Sequence, residues 1–115
     1  MPTPESKVKA AVKAMLEELH IIPASKAGAF PADAQGWYFM PVQMGQGVSG
    51  IPDILGHYHG RAFAVETKAQ GKKPTGFQRR QIEAFNCRGE RAFVVDSVEG
   101  AQALKQELLN LLFLP

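Results

Sequence analysis

The sequence predicts an α/β fold in which helices flank a mixed central sheet. Segments near both ends of the chain carry apolar residues at three- and four-residue steps, the spacing of amphipathic helices. Between them lie three extended apolar segments, then a capped helix and a short apolar strand. The resulting order, α-β-β-β-α-β-α, favours layers of helix and sheet around one core.

Capping residues set the boundaries of the three predicted helices. The first is expected over residues 4–20, because Thr3 can cap it and a proline occupies the favoured first position. The second begins after Thr75 and ends near Asn86, and the third begins after Ser97. The apolar face of the first helix comprises Val8, Ala11, Val12, Met15, Leu16 and Leu19, and that of the last comprises Val98, Ala101, Leu104, Leu108, Leu111 and Leu112.

The predicted strands occupy residues 37–42, 51–58, 61–68 and 92–95. Residues 22–36 contain proline, glycine, alanine and serine without a period, so we interpret them as a loop. A short turn around Gly60 joins the second and third strands and indicates an antiparallel hairpin. We expect Trp37 and Tyr38 to belong to the core rather than to a platform for bases.

Length and composition are those of one ordinary globular domain, expected to span residues 1–115. Hydrophobic residues make up 45% of the chain and charged residues 21%. The one cysteine, Cys87, excludes an intrachain disulfide and is compatible with a reducing compartment. With no long apolar run and no leader peptide in the sequence, we expect a cytoplasmic protein without a membrane segment.

Positive charge is concentrated in one part of the chain. The net charge of the whole sequence is only +2, yet residues 68–91 hold seven lysines and arginines against two glutamates, a local net charge of +5. Such a segment suits a polyanion such as DNA, although a solvated helix and loop would have the same composition.

Three residues of the predicted hairpin suggest chemistry. Glu66 and Lys68 share one face of the third strand, about 7 Å apart along it. Asp53 lies early in the preceding strand, and the fold-back near Gly60 brings it to the same end of the hairpin as Glu66. Two neighbouring carboxylates repel each other unless a cation separates them, and oxygen ligands favour Mg²⁺ or Mn²⁺. A metal and a lysine are what phosphodiester hydrolysis requires.

Other interpretations of these residues remain open. Asp53 could cap a turn, while Glu66 and Lys68 form a surface ion pair. The chain could also be a DNA-binding module without catalysis. His57 and His59 flank the turn at the opposite end of the hairpin, so we do not expect them to bind the metal.

The combination of motifs resembles a known family. Gly-Val-Ser-Gly-Ile-Pro-Asp at 47–53, Glu-Thr-Lys at 66–68 and Lys-Pro-Thr-Gly-Phe-Gln at 73–78 are similar to the VRR-NUC branch of the PD-(D/E)xK nucleases. The resemblance implies a restriction-endonuclease-like αβββαβ core and metal-dependent cleavage of DNA. Stand-alone members, found in phages and bacteria, look like nucleases that act as dimers on branched DNA such as Holliday junctions. The resemblance therefore implies that this chain is such an endonuclease, and a single-strand or flap nuclease on the same fold is the alternative. No Val-Arg-Arg run is present, and the nearest basic pair is Arg79-Arg80.

The resemblance also implies roles for individual residues. Asp53 and Glu66 are expected as metal ligands, together with Thr67 and with Glu5 of the first helix, and Lys68 is expected to be catalytic. Glu5 would also suit a helix N-terminus through the dipole alone. The remaining predicted site residues are the catalytic Gln78 and the DNA-binding Ser49, Gly50, Lys72, Lys73, Arg79 and Arg80.

Gln78 also has a structural alternative. Gln78 forms a Thr-x-x-Gln capping box with Thr75, which needs no substrate. Gly50 could allow a phosphate to approach the backbone closely before Asp53.

The end of the last helix predicts a homodimer. Residues 108–114 are apolar nearly all round, which is more than one face against a sheet can bury. Alternatively, this end folds over the first helix and completes the core.

Overall fold

A computed structural model describes residues 3–25, 31–42 and 50–114 of the chain. The strands are β1 (Ile21–Pro23), β2 (Gly36–Phe39), β3 (Ile54–Tyr58), β4 (Arg61–Thr67) and β5 (Ala92–Val95). The helices are α1 (Pro4–Glu18), α2 (Gly76–Phe85) and α3 (Val98–Asn110), and a 3-10 turn, Leu111–Phe113, follows α3. No helix in these ranges is long and apolar enough to cross a membrane.

The five strands form one mixed sheet in the order β1-β2-β3-β4-β5. The outer pairs, β1 with β2 and β4 with β5, are parallel, and the pairs β2–β3 and β3–β4 are antiparallel. At one end of the sheet, along the strand direction, the end of β2 therefore lies beside the start of β3 and the ends of β4 and β5. The α/β class and the mixed sheet predicted from the sequence are confirmed.

One strand escaped the sequence prediction. β1 lies at the start of the segment 22–36 that we interpreted as a loop, and it has only three residues, one of them a proline. Such a short strand leaves no alternating pattern, and an edge position tolerates the missing proline N–H. β2 and β3 are also shorter than predicted, because pairing ends where the loop toward Asp53 departs.

The β3–β4 hairpin has the predicted position and a tight turn. His59 and Gly60 form the turn, with φ angles of 50° and 79°. Positive φ at both central residues matches the right-handed twist of the flanking strands. The turn thereby sets the register in which Ile54 pairs with Val65.

Helices α1 and α3 cover one face of the sheet and supply most of the core. Val12, Met15 and Leu16 of α1 are fully buried, and they belong to the same apolar cluster as Phe63 and Val65 of β4. Burying such side chains contributes about 1.5–3 kcal/mol each. The opposite face of β4 and β5 is contacted by α2, which has no fully buried residue.

The end of α3 is divided between core and surface. Leu104, Leu108 and Leu111 are buried, as the predicted apolar face requires, and Leu109 packs partly against the core. The last apolar residues, Leu112, Phe113 and Leu114, are exposed.

Candidate metal centre

The hairpin register brings Asp53 beside the end of β4. Ile54 pairs with Val65, so Asp53, one residue earlier, lies next to Glu66. Thr67 holds the Asp53 carboxylate with two hydrogen bonds: its backbone N–H donates to Oδ2 at 2.9 Å and its hydroxyl donates to the same oxygen at 2.8 Å. The aspartate is therefore oriented by β4 although it lies outside the strand.

Glu66 occupies an unusual environment for a carboxylate. Its side chain is only 1% exposed, and Oε1 accepts a hydrogen bond from Gln78 Nε2 at 3.2 Å. Lys68 Nζ lies 4.0 Å from the same oxygen. The other oxygen, Oε2, is buried without a hydrogen-bond partner among the described residues. Burial, followed by the charge of Asp53, raises the pKa of Glu66 to about 8.

Helix α1 adds a third carboxylate. The Thr3 side chain accepts a hydrogen bond from the Ser6 N–H and so begins the helix, which places Glu5 in its first turn. Glu5, Asp53 and Glu66 each offer a carboxylate oxygen, and these oxygens all lie within 4.8 Å of one another.

The donor set fits a hard divalent cation. Three carboxylate oxygens lie close enough together to bind one ion. Glu66 Oε2 is a buried acceptor, and no described residue donates a hydrogen bond to it, so the cost of removing it from water is not compensated. Mg²⁺ and Mn²⁺ prefer such oxygen ligands. Asp53 and Glu66 also each have one oxygen held by a protein donor, the arrangement that orients metal-ligating carboxylates.

Gln78 caps α2 and also contacts Glu66, while its predicted catalytic role stays a prediction. Its Oε1 accepts from the Thr75 N–H at 2.8 Å, and its own backbone N–H donates to the Thr75 hydroxyl, which completes a capping box at the start of α2. Its Nε2 meanwhile donates to Glu66. The cap therefore fixes the side chain that holds Glu66.

Gly50 lies against α2. Its φ is +80°, and a Cβ at this position would lie 2.4 Å from the Phe77 carbonyl carbon and 2.6 Å from the Gln78 backbone nitrogen. Any side chain would push the start of α2 away. Close packing against α2 thus explains why a glycine occupies position 50. The predicted contact of Gly50 with a phosphate stays a prediction.

The other predicted residues divide as follows. Lys72, Lys73, Arg79 and Arg80 are all exposed before and along α2, and the Arg80 guanidinium lies 5.5 Å from the centre of the Phe77 ring. Ser49 lies outside the described residues. The Thr67 hydroxyl donates to Asp53, so its predicted role as a metal ligand would use another lone pair or its carbonyl oxygen.

The two histidines of the hairpin lie away from the carboxylates, as expected. The His57 ring packs against Trp37, and the His59 ring against Tyr58, at the turn end of β3. Tyr38 is buried in the core as predicted, whereas Trp37 is only half-buried. Sequence reasoning did not reveal that Thr67 holds Asp53, because the contact joins residues fourteen positions apart and depends on the strand register.

Comparison with solved structures identifies a clear likeness. The chain is similar to a structure described as a "VRR_NUC domain", with a TM-score of 0.66 and 29% sequence identity over 90% of this chain and 96% of the other. Known protein families gave no match by sequence, and neither did the curated proteins. The likeness indicates a nuclease domain, and the match spans nearly the whole of both chains.

Proposed function

We propose that this chain, which is similar to a VRR_NUC domain structure, hydrolyses phosphodiester bonds of DNA with a divalent metal ion held by Glu5, Asp53 and Glu66. The observation that carries the proposal is the cluster of three carboxylates beside Lys68. A bound Mg²⁺ or Mn²⁺ would lower the pKa of a water molecule and neutralise charge on the phosphate.

The residues of the chain supply position and charge around that ion. Thr67 and Gln78 hold one oxygen each of Asp53 and Glu66, which leaves the remaining oxygens for the cation. Lys68 Nζ, only 4.0 Å from Glu66, can orient the attacking water or stabilise the negative charge that develops on the phosphorane. The exposed lysines and arginines before and along α2 would contact phosphates of the DNA backbone.

We propose further that the enzyme is an endonuclease with a preference for branched DNA, and that it acts as a homodimer. Two copies related by a two-fold axis would present two metal centres to the two strands of a junction. A flap or single-strand specificity on the same fold is the competing possibility.

Cleavage of a panel of single-stranded, duplex, flap and four-way substrates with Mn²⁺ tests the proposal. Asp53→Ala, Glu66→Ala and Lys68→Ala should each abolish cleavage while leaving DNA affinity largely unchanged, because affinity depends on phosphate contacts elsewhere. EDTA should abolish the activity of the wild type. Glu107→Ala, which removes an exposed carboxylate of α3, is the matched control and should cleave normally.

Two outcomes would contradict the proposal. Unchanged turnover in any of the three folded variants would remove that residue from the site. Binding of branched DNA without cleavage of any substrate in Mn²⁺ would leave a DNA-binding module instead of an enzyme.

A further inference from the structure

An aromatic side chain lies exposed within the basic surface of α2. Phe77 occupies the first turn of the helix and is 59% exposed, although it is large and apolar. Exposed lysines and arginines precede and follow it in sequence: Lys72, Lys73, Arg79 and Arg80. Single exposed apolar residues are common on protein surfaces, so exposure alone indicates nothing. What distinguishes Phe77 is its fixed position close to the metal centre.

The backbone that carries Phe77 is held from two sides. Thr75 and Gln78 form the capping box on either side of it, and a Cβ at Gly50 would lie only 2.5 Å from the Phe77 carbonyl oxygen. The next residue, Gln78, donates a hydrogen bond to Glu66. Because consecutive Cα atoms are about 3.8 Å apart and one glutamine side chain spans the rest, the Phe77 Cα lies on the order of 10 Å from the Glu66 carboxylate.

The ring of Phe77 is supported by a cation and has open space beside it. The Arg80 guanidinium carbon lies over the ring, 5.5 Å from its centre. Residues three apart share one face of a helix, so both side chains project from the same exposed face of α2. A Cβ on the preceding Gly76 would have no described atom within 4 Å. A flat group from outside the protein can therefore stack on the ring.

The charge of this surface favours a nucleic acid over a second copy of the chain. Residues 72–85 hold four lysines and arginines against one glutamate, a net charge of +3. Two copies that met through this surface would bring like charges together, which is costly. DNA offers phosphates to the basic residues and the faces of its bases to the ring.

Stacking on Phe77 requires a base pair with an uncovered face. In a continuous duplex each pair is stacked on both sides, and inserting a side chain between two pairs costs unstacking energy. At a branch point the stacking is already interrupted, so the last pair of an arm exposes one face at a lower cost. Contacts to phosphates are available on both kinds of DNA and do not distinguish them. An exposed aromatic ring therefore discriminates branched from continuous DNA.

We propose that Phe77 stacks on the base pair at the branch point of the DNA, while the basic residues around it hold the adjoining phosphates. The proposal rests on the proposed nuclease function and names the residue that makes branched DNA the preferred substrate. A separation on the order of 10 Å from the metal centre corresponds to about three stacked nucleotides, at a rise of about 3.4 Å each. We expect the cut to fall at about that distance from the branch.

Binding of an immobile four-way junction and of a duplex of equal length tests this assignment. Lys68→Ala protein prevents cleavage during the measurement, and the Phe77 variants are made in that background. Phe77→Ala should weaken junction binding about 5- to 100-fold and duplex binding less than about 2-fold. The slope of log K against log salt should stay the same, since stacking neutralises no phosphate. Val98→Ala, which shortens an exposed apolar side chain of α3, is the matched control and should leave both affinities unchanged.

Two further substitutions of the same residue separate stacking from apolar contact. Phe77→Tyr keeps an aromatic ring and should keep the preference for the junction, whereas Phe77→Leu keeps apolar bulk and should lose it. In proteins that retain Lys68, the cut positions give an independent measurement. Phe77→Ala should spread the cuts over several nucleotides around the wild-type position, because the branch is no longer held at a fixed distance from the metal centre.

Failure of this proposal is distinguishable from failure of the proposed function. If the wild type cuts junctions and Phe77→Ala and Phe77→Leu match it in junction affinity and cut position, Phe77 does not contact the branch point. Equal weakening of junction and duplex binding would also overturn the proposal. A change of mass by light scattering in Phe77→Ala would place the ring in a protein interface instead. If no substrate is cut while Phe77→Ala selectively weakens junction binding, Phe77 recognises the branch and the nuclease assignment fails.

Discussion

At the scale of single residues, the candidate metal centre depends on which oxygen of each carboxylate is held by a protein donor and which is left for a cation. Asp53 Oδ2 is held by Thr67, and Glu66 Oε1 is held by Gln78. Glu66 Oε2, by contrast, is buried without a partner among the described residues. A group in that state destabilises the fold until a cation or a proton compensates it. The candidate site therefore lowers the stability of the metal-free protein.

Glu66→Gln should stabilise the protein when EDTA removes all metal. The glutamine keeps the acceptor for Gln78 and removes the buried carboxyl group that must either ionise or take up a proton in the folded state. The Glu66 pKa of about 8 lies above its ordinary value of 4.5, so the unfolded chain ionises first. Stability of the metal-free wild type should then fall as pH rises from about 4.5 to about 8 and stay flat above.

Thermal denaturation at several pH values measures this difference. At pH 7 the variant should be more stable than the wild type by about 1–3 kcal/mol, and its stability should vary less over this pH interval. Addition of Mn²⁺ should raise the melting temperature of the wild type only. A metal-free variant less stable than the wild type at pH 7 would show that Glu66 supports the fold as an anion.

At the scale of elements, the start of α2 links helix capping to the site. Thr75 and Gln78 satisfy backbone groups of the first turn, and the same glutamine reaches Glu66. Gly50 allows α2 to approach closely, since a side chain there would meet the backbone of Phe77 and Gln78. The outer surface of α2 and the segment before it carry exposed lysines and arginines.

Gln78→Glu should separate the cap from the site. A glutamate at this position still accepts from the Thr75 N–H, so the melting temperature of the variant in EDTA should change little. An ionised glutamate at position 78 has no N–H to donate to Glu66, and it adds a negative charge beside that residue. Cleavage should therefore fall by about 10- to 100-fold. Thr75→Ala is the complementary variant: it should cost about 0.5–2 kcal/mol of stability with a smaller effect on turnover. Equal turnover of wild type and Gln78→Glu would reduce Gln78 to a capping residue.

The basic surface of α2 should supply much of the DNA affinity. Neutralising Lys72 and Lys73, or Arg79 and Arg80, in pairs should reduce the slope of log K against log salt by about 0.9 for each duplex phosphate that the variant no longer neutralises. Fluorescence anisotropy at several salt concentrations measures the slope, and Lys105→Gln on α3 is the control. Slopes equal to that of the wild type would move the DNA path to another surface.

At the scale of the whole molecule, the end of α3 both completes the core and leaves an apolar surface. Leu108 and Leu111 are buried, and the Arg61 guanidinium donates to the Leu114 carbonyl, which fastens the last described residues to β4. Phe113 is nevertheless 84% exposed, with Leu112 and Leu114 beside it in sequence. The alternative in which this end completes the core thus holds in part. The exposed residues form a patch suited to self-association, and the homodimer stays a prediction.

The exposed patch predicts a homodimer that Phe113→Glu dissociates. Light scattering at micromolar concentration should give twice the chain mass of 12.5 kDa for the wild type and the single mass for the variant. Leu109 is a poorer probe, because it packs partly against the core and a charge there would also disturb folding. Glu107→Lys changes charge on the exposed side of α3 and should remain dimeric. A wild type with the mass of one chain would refute the dimer.

The sequence by itself determined the three helices, the hairpin and the position of Asp53 beside Glu66. Thr3, Thr75 and Ser97 cap the three helices as predicted, because each cap is a local interaction with a residue three positions further along the chain. The hairpin followed from the turn at Gly60 and from strand alternation, and these two features suffice to place Asp53 beside Glu66. Both inferences need only short-range geometry.

Only the tertiary structure decided which groups surround each carboxylate. Glu5 and Glu66 are sixty-one positions apart in sequence, and their meeting depends on how α1 packs on the sheet. The hydrogen bonds of Thr67 and Gln78, and the burial of Glu66 Oε2 without a partner in the described part of the chain, likewise arise from packing between distant segments. A three-residue edge strand such as β1 also forms only because a neighbour pairs with it. Sequence periodicity reports which face of an element is apolar, whereas contacts across elements depend on register and on packing in three dimensions.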